Sequence, residues 1–179
     1  MSKINAVVIT ASDACASGER EDTSGMLLVQ LLRDLGAEIV DARTCSDDLD
    51  PLAQALIDFA DRNDVNLIIT TGGTGLGPRD NTPEATKRII EREAPGIAEA
   101  IRAESLKTTP MAMISRGVCG VRSGTLIINL PGSPKAVRKR LPSSRQCSHT
   151  HWIYSPAGPV IKKRREDVRG NYRSLTNSP

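Results

Sequence analysis

Several features that mark common protein classes are missing from this chain of 179 residues. It has no run of about 18 apolar residues, so we expect no membrane-spanning helix. Its amino terminus lacks a signal-peptide profile, which predicts a cytoplasmic location. Its four cysteines have no Cys-x-x-Cys spacing, which favours reduced thiols over zinc ligands or disulfides.

A strong basic charge is also missing, because the net charge is only +3. Residues 1–137 are slightly acidic, whereas residues 138–179 are basic and include the run Lys-Lys-Arg-Arg at 162–165. A nucleic-acid-binding domain normally has a basic face, so we do not expect nucleic acid as a partner. Small anionic ligands can still be held by backbone N–H groups and a few arginines.

What the chain does contain is an alternation of apolar runs and helical patterns over a length typical of one domain. Buried strands are predicted at residues 6–9, 38–42 and 66–70. Helices are predicted at residues 24–35 and 47–59, and two more within 82–106, joined at 94–96, the first ending near Arg92. The pattern of residues 111–130 predicts a bent, hairpin-like segment followed by a strand that returns to the sheet. This pattern predicts an α/β fold, a three-layer sandwich with helices on both faces of a mainly parallel central sheet.

Residues 66–85 are the most informative stretch. A short apolar run ends in four glycines within six residues, at Gly72, Gly73, Gly75 and Gly77. A helix then begins, with Thr82 predicted as its N-cap and Pro83 at its first position. Glycines leave backbone N–H groups accessible and a helix N-terminus favours negative charge, so the stretch predicts a phosphate cradle. A tight turn that needs positive φ angles is the alternative.

Two common phosphate-binding patterns do not fit this stretch. In the dinucleotide pattern G-x-G-x-x-G, Pro78 stands where the third glycine belongs. In the Walker A pattern, Pro78 and Arg79 replace the required Lys and Ser/Thr.

Three ordered segments resemble the MoaB/Mog family of molybdenum cofactor biosynthesis proteins. They are residues 9–25, residues 70–85 and residues 129–135, and a Ser-Arg pair at 115–116 stands where the family has Ser-Arg. The resemblance covers about residues 4–137. It implies a molybdopterin-binding domain at 1–137 with a MoaB/Mog-like fold, followed by an atypical basic tail at 138–179 that we expect to be poorly ordered. It also implies a homotrimer or homohexamer.

The tail departs from the family, which normally ends in a further helix with a Pro-His-hydrophobic pattern. One choice of codons for residues 147–157, read in a second frame, encodes Phe-Pro-His-Ala-Leu-Asp-Leu-Leu-Ala-Gly, which is similar to that ending. We therefore hypothesise a frameshift near Arg138. A metal site at Cys147, His149 and His151 and a nucleic-acid-binding tail are the alternatives, but four-ligand spacing and basic–aromatic alternation are missing.

The family resemblance implies binding of molybdopterin, a pterin dithiolene with a terminal phosphate. In the catalytic branch, that phosphate attacks the α-phosphate of ATP, so that adenylylated molybdopterin and pyrophosphate form. We therefore expect a molybdopterin adenylyltransferase, with the molybdate-insertion protein of the pathway as a partner. The alternatives are a non-catalytic molybdopterin-binding protein of the same family and a structural domain of a larger fused protein.

The resemblance also assigns residues. Asp80 and Asp47 are the expected catalytic residues, with Asp48 as a fallback, and Ser46 replaces a proline of the family. Asp80 cannot lie beside phosphate oxygens without a cation, so we expect Mg²⁺ shared by Asp80, Asp47 and the nucleotide. An ordinary N-cap is the alternative role of Asp47. The expected molybdopterin- and phosphate-binding residues are Thr10, Ser12, Asp13, Thr71, Gly72, Gly73, Thr74, Gly75, Ser115, Pro131, Gly132 and Ser133.

Two charged residues, Arg79 and Asp13, have simpler alternative roles. Arg79 is expected to pair with Asp80, although a surface carboxylate is an equally ordinary partner. Arg116, next to Ser115, is a candidate for a second anion contact. Asp13 follows the first strand, where capping a turn is the alternative to binding the pterin.

Overall fold

A six-stranded sheet runs through residues 3–134, the part of the chain that the computed structural model describes. Its strands are β1 (Asn5–Ala11), β2 (Glu38–Cys45), β3 (Leu67–Thr71), β4 (Arg92–Glu93), β5 (Cys119–Arg122) and β6 (Thr125–Leu130). Their order is β2-β1-β3-β6-β5-β4. The first four strands of that order pair in parallel, whereas β5 pairs antiparallel with both β6 and β4. The predicted mainly parallel sheet is confirmed.

Helices cover both faces of this sheet. They are α1 (Asp13–Ala16), α2 (Thr23–Asp34), α3 (Leu49–Ala60), α4 (Thr82–Ile89) and α5 (Pro95–Leu106), and a 3₁₀ helix spans Pro110–Ile114. Within residues 3–134, none of them has the length and apolar character needed to cross a membrane.

Two apolar clusters fill the spaces between sheet and helices. Successive side chains of a strand point to opposite faces, and β1 shows this directly. Val8 packs with Leu28 in a cluster to which α2 and α5 contribute. Val7 packs with Leu56 of α3 and Ile89 of α4 in the other cluster. The predicted three-layer sandwich is therefore confirmed.

Two helices begin one or two residues from their predicted starts, α3 later and α4 earlier. The N-cap of α3 is Asp48, not Asp47, and its side chain makes no capping hydrogen bond. The N-cap of α4 is Asn81, and Thr82 is already helical. The Thr82 hydroxyl donates to the Gly72 carbonyl at 3.0 Å and the Thr82 N–H donates to the Gly73 carbonyl at 3.1 Å. Thr82 therefore ties the helix to the glycines instead of capping it.

The segment between α4 and β6 also differs from its prediction. Arg92 lies in the short strand β4 and not at a helix end, because Glu91 and Ala94 on either side of β4 donate N–H bonds to β5 carbonyls. The return strand is β6, as predicted. The apolar run at 111–114 is a 3₁₀ helix that leaves Met111 and Met113 64% and 68% exposed, so it is no part of the sheet.

The predictions for the tail fall on residues that the structure does not describe. They are the disorder of residues 138–179, the frameshift near Arg138 and the alternative metal site at 147–151.

Candidate functional site

Four strands end at one edge of the sheet. In the parallel register, Thr71 of β3 lies beside Thr10 of β1 and Leu130 of β6, so the loops that follow these strands meet. Ligands bind at this edge in open α/β sheets. A cavity of about 800 Å³ lies here. The predicted residues in its wall are Thr10, Ser12, Asp47, Thr71, Gly72, Gly73, Thr74, Gly75, Asp80, Ser115, Pro131, Gly132 and Ser133.

The glycine loop, residues 72–77, has two kinds of glycine. Gly72 and Gly73 have positive φ angles of 99° and 58°, so the tight-turn alternative holds for these two. Gly75 and Gly77 are glycine for a different reason, since a Cβ at either would lie 2.9 or 2.8 Å from Oδ2 of Asp80. The loop thus combines a turn with a close approach to a carboxylate.

Three backbone N–H groups of the glycine loop are available to an anion. The Gly72 N–H is not one of them, because it donates to the Leu130 carbonyl at 3.1 Å and attaches the loop to β6. The next three N–H groups, those of Gly73, Thr74 and Gly75, have no hydrogen-bond acceptor within residues 3–134. All three belong to residues of the cavity wall, where they are candidate donors to a ligand anion.

Asp80 closes the glycine loop. Its Oδ2 accepts a hydrogen bond from the Gly77 N–H at 2.7 Å, and its own N–H donates to the Gly77 carbonyl at 3.0 Å. Arg116 supports the loop from behind, through Nε to the Gly75 carbonyl and Nη2 to the Asp80 carbonyl, both at 2.6 Å. The guanidinium also pairs with Glu84. Arg116 is therefore a support of the loop and no part of the cavity wall, unlike Ser115.

Asp47 is held by a reciprocal pair of bonds with Asp13. The Asp47 N–H donates to Oδ1 of Asp13, and the Asp13 N–H donates to Oδ2 of Asp47, both at 2.9 Å. The Asp47 carbonyl accepts from Nδ2 of Asn81 at 2.9 Å. Partial burial raises the pKa of the Asp47 carboxyl, and the negative charges of Asp13 and Asp80 raise it further, against the opposing Asp13 N–H bond. Asp47 therefore faces the cavity as a carboxylate that would benefit from a nearby cation.

Arg79 does not pair with Asp80 but with two surface carboxylates, which confirms the alternative prediction. Arg79 makes a forked contact with Asp13, Nε to Oδ2 at 3.0 Å and Nη2 to Oδ1 at 2.8 Å, and reaches Oδ1 of Asp48 at 2.6 Å through Nη1. The carboxylate of Asp80 is turned instead to the Gly77 N–H. Hydrogen bonding to Arg79 lowers the pKa of both Asp13 and Asp48. Asp13 is not among the residues of the cavity wall, and its predicted contact with a ligand stays a prediction.

Sequence reasoning missed one side of the cavity. Arg20 lies in the wall and donates from Nη2 to Oγ of Ser12 at 3.0 Å. The other residues that were missed come from the start of α2, the end of α5 and the 3₁₀ helix: Ser24, Glu104, Ser105, Thr108, Thr109, Met111, Ala112 and Ile114. Arg20 and Ser24 lie within the family-like segment 9–25 but were not chosen, and the hydroxyl-rich end of α5 was another usable signal.

A family model described as a probable molybdopterin binding domain matches residues 7–143. The chain belongs to this family. The resemblance inferred from the three sequence motifs is thereby confirmed.

Individual members of the family are similar over most of the chain. A molybdopterin adenylyltransferase of Helicobacter pylori (strain J99) is 40% identical over 143 residues, which are 79% of this chain and 81% of that protein. The molybdenum cofactor synthesis protein cinnamon of Drosophila melanogaster is 39% identical over 96% of this chain, but the chain spans only 29% of that protein. The crystal structure of the molybdopterin biosynthesis enzyme MoaB from Thermus thermophilus superimposes with a TM-score of 0.71 at 44% identity and covers 78% of this chain and 88% of that one.

The acidic side chains of the cavity suit a divalent cation of the kind that the family resemblance implies. Within residues 3–134, no group of three or more His, Cys, Asp or Glu side chains is arranged to hold a metal ion. Asp47 and Asp80 do lie in one cavity wall. Burial is the main cause of the raised pKa of Asp47, and the Asp80 charge adds a smaller contribution in the same direction. Mg²⁺ is commonly bound by one or two carboxylates together with substrate phosphates, so this pair fits it.

Proposed function

We propose that the protein binds molybdopterin and transfers AMP from Mg-ATP to its terminal phosphate, with release of pyrophosphate. The observation that carries the proposal is the meeting of two carboxylates, Asp47 and Asp80, with three free loop N–H groups in one cavity. The similarity to the Helicobacter molybdopterin adenylyltransferase supports it.

Nucleotidyl transfer needs little covalent chemistry from the protein. It needs two phosphates aligned in line and their negative charge neutralised. The free N–H groups of Gly73, Thr74 and Gly75 suit one phosphate, because backbone donors fixed in place cost no reorganisation when charge develops. The hydroxyls of Ser115 and Ser133, on other loops of the same cavity, suit the second phosphate.

The two carboxylates suit the metal-bound nucleotide. Mg²⁺ held by Asp47 and Asp80 would supply charge neutralisation between the carboxylates and the nucleotide phosphates. Asp80 is oriented for this by the Gly77 N–H, and Asp47 by its bonds to Asp13 and Asn81. The pterin would then bind on the other side of the cavity, where Thr10 and Ser12 lie at the end of β1.

We also propose the context that the family resemblance implies. It comprises a molybdopterin-binding domain at residues 1–137, a cytoplasmic location, a homotrimer or homohexamer, and the molybdate-insertion protein of the pathway as the partner that receives the product. The side chains of Met111 and Met113 are apolar and exposed, which supports the proposed oligomer because such side chains can be buried against another protein surface. The similarity of this chain to part of cinnamon, a longer protein named for molybdenum cofactor synthesis, supports a partner from the same pathway.

The direct test incubates the full chain with molybdopterin, Mg²⁺ and ATP labelled on the α-phosphate. We expect labelled adenylylated molybdopterin and an equal amount of pyrophosphate, and neither in the presence of excess chelator. Molybdopterin bound at stoichiometry without pyrophosphate would establish the non-catalytic alternative. Absence of both binding and turnover would reject the proposal.

A further inference from the structure

An arginine joins three loops at the edge of the sheet where the cavity lies. Arg79 follows β3, Asp13 follows β1, and Asp48 follows β2. The guanidinium contacts both oxygens of Asp13 at 2.8 and 3.0 Å and one oxygen of Asp48 at 2.6 Å. Only a planar fork of donors can serve two carboxylates in this way, which makes arginine the suitable residue.

The stability of the fold does not explain this cluster. The side chains of Arg79, Asp13 and Asp48 are 53%, 47% and 53% exposed. Ion pairs at such exposure contribute little to stability because water and salt screen them. The cluster adds a contact among three loops that the Asp13–Asp47 and Asn81–Asp47 hydrogen bonds also join.

The loop positions matter because Asp13 is the main support of Asp47. Two of the three hydrogen bonds of Asp47 are with Asp13: the Asp13 N–H donates to the Asp47 carboxylate, and the Asp47 N–H donates to the Asp13 carboxylate. In the third, Nδ2 of Asn81 donates to the Asp47 carbonyl. Oδ1 of Asp13 accepts from the Asp47 N–H and from Nη2 of Arg79. The orientation of the Asp13 carboxylate, and with it the place of Asp47, therefore depends on the Arg79 fork.

We propose that Arg79 and Asp13 are positioning residues that hold the Asp47 carboxylate in the cavity without contacting substrate. Neither residue lies in the cavity wall, whereas Asp47 does. The catalytic consequence rests on the proposed function, since it takes Asp47 as a ligand of the metal-bound nucleotide. The structural consequence, an ordered Asp13–Asp47 pair, does not.

The test uses Arg79→Gln, Arg79→Lys, Asp13→Asn and the double variant Arg79→Gln/Asp13→Asn in the full chain. The matched control is Arg88→Gln, which removes another exposed pair, Arg88 of α4 with Asp50 of α3, outside the cavity wall. Three quantities are measured: kcat and KM for molybdopterin, the melting temperature, and the exchange rates of the Asp13 and Asp47 amide protons by NMR in the ligand-free protein.

We expect kcat to fall at least roughly tenfold in both Arg79 variants, because small displacements of an aligned group are costly and lysine cannot restore the fork. KM for molybdopterin should stay within about threefold. The kcat of the double variant should be no lower than that of the slower single variant, since both changes remove the same Arg79–Asp13 contact. Both amide protons should exchange faster in Arg79→Gln, and Arg88→Gln should match the wild type in every quantity.

Unchanged kcat and unchanged amide exchange in Arg79→Gln would overturn the proposal. A melting temperature lower by more than about 10 °C, with kcat reduced only by the unfolded fraction, would do the same, since it makes the cluster structural. A wild type without turnover would reject the proposed function instead. Faster amide exchange in Arg79→Gln alone would then still establish the positioning pair.

Discussion

Oδ2 of Asp80 accepts a hydrogen bond from the Gly77 N–H at 2.7 Å. The same oxygen lies only 2.9 Å from where a Cβ at Gly75 would be. The carboxylate and the glycine loop therefore constrain each other, and substitutions on either side have separable effects.

Asp80→Asn should remove most turnover and keep the fold. The asparagine amide oxygen can still accept from the Gly77 N–H, but the negative charge for a metal-bound nucleotide is lost. A fall in kcat of about 100-fold, about 2.7 kcal/mol, is the expected scale. Pyrophosphate release measures it, and circular dichroism checks the fold. Asp58→Asn, in an exposed part of α3, is the matched control and should be neutral. Full activity in Asp80→Asn would reduce Asp80 to a support of the loop.

Gly75→Ala should weaken ligand binding more than it weakens the fold. Gly75 does not have a positive φ angle, so alanine is not strained there, but its Cβ would displace the Asp80 carboxylate. We expect molybdopterin affinity to fall about tenfold with a melting shift of only a few degrees. Titration calorimetry and thermal unfolding give the two quantities.

The control for that experiment is Gly36→Ala. Gly36 has a φ of 89° and open space around its Cβ position, away from the cavity wall. Its substitution should lower the melting temperature through backbone strain and leave affinity unchanged. Gly73, with a φ of 58° and a Cβ that would lie 2.5 Å from Oγ1 of Thr82, should lose both stability and affinity when it is replaced by alanine. If Gly75→Ala behaves like Gly36→Ala, the loop is only a turn.

Asn129→Ala should destabilise the fold strongly. Nδ2 of this buried residue donates to the hydroxyls of Thr70 and Thr86 at 3.0 and 2.9 Å, and its Oδ1 accepts from the Val118 N–H at 3.1 Å. Alanine would leave buried polar groups without partners, at a cost of about 2–4 kcal/mol in unfolding free energy. Urea denaturation measures the change. The exposed Asn63→Ala should stay within about 0.5 kcal/mol, and an equally small effect at Asn129 would contradict the network.

Cys119 should resist alkylation in the folded protein. Burial raises the pKa of its thiol to about 12. The folded state therefore holds the proton more tightly than the unfolded state, so this group's contribution to stability is full at pH 8 and is lost as the pH rises from about 9 toward 12. Iodoacetamide at pH 8, followed by peptide mass spectrometry, should label the half-buried Cys15 and Cys45 well before Cys119. Equal labelling rates would show that β5 opens readily.

The sequence predicts the layers of this fold well because their signals are local. The apolar run of β3 and the glycines after it place the cavity at the correct edge of the sheet, and most of the wall follows from the loops that leave β1, β3 and β6. Errors at helix starts are one or two residues, at Asp48 and Asn81, since several polar residues there can serve as a cap.

Side-chain partners were harder to predict. Arg79 stands next to Asp80 in the sequence but pairs with Asp13, 66 positions away, because chain neighbours at this turn point in different directions. Asp13 is likewise bonded to Arg79 and Asp47, partners that its place after β1 did not indicate. The sequence did not indicate that the 3₁₀ helix at Pro110–Ile114 lines the cavity. Its apolar run resembles a buried strand, and only the structure shows that Met111 and Met113 are exposed.

The hydrogen bond from the Gly72 N–H to the Leu130 carbonyl has a consequence for how the chain folds during translation. β6 is the last described strand in sequence and yet lies in the middle of the sheet, between β3 and β5. When β1 to β3 of a nascent chain have emerged from the ribosome, β6 has not, although β3 and the glycine loop both form hydrogen bonds with it. Ligand binding should therefore begin only after residue 130 has emerged, and fragments that end before β6 should bind nothing.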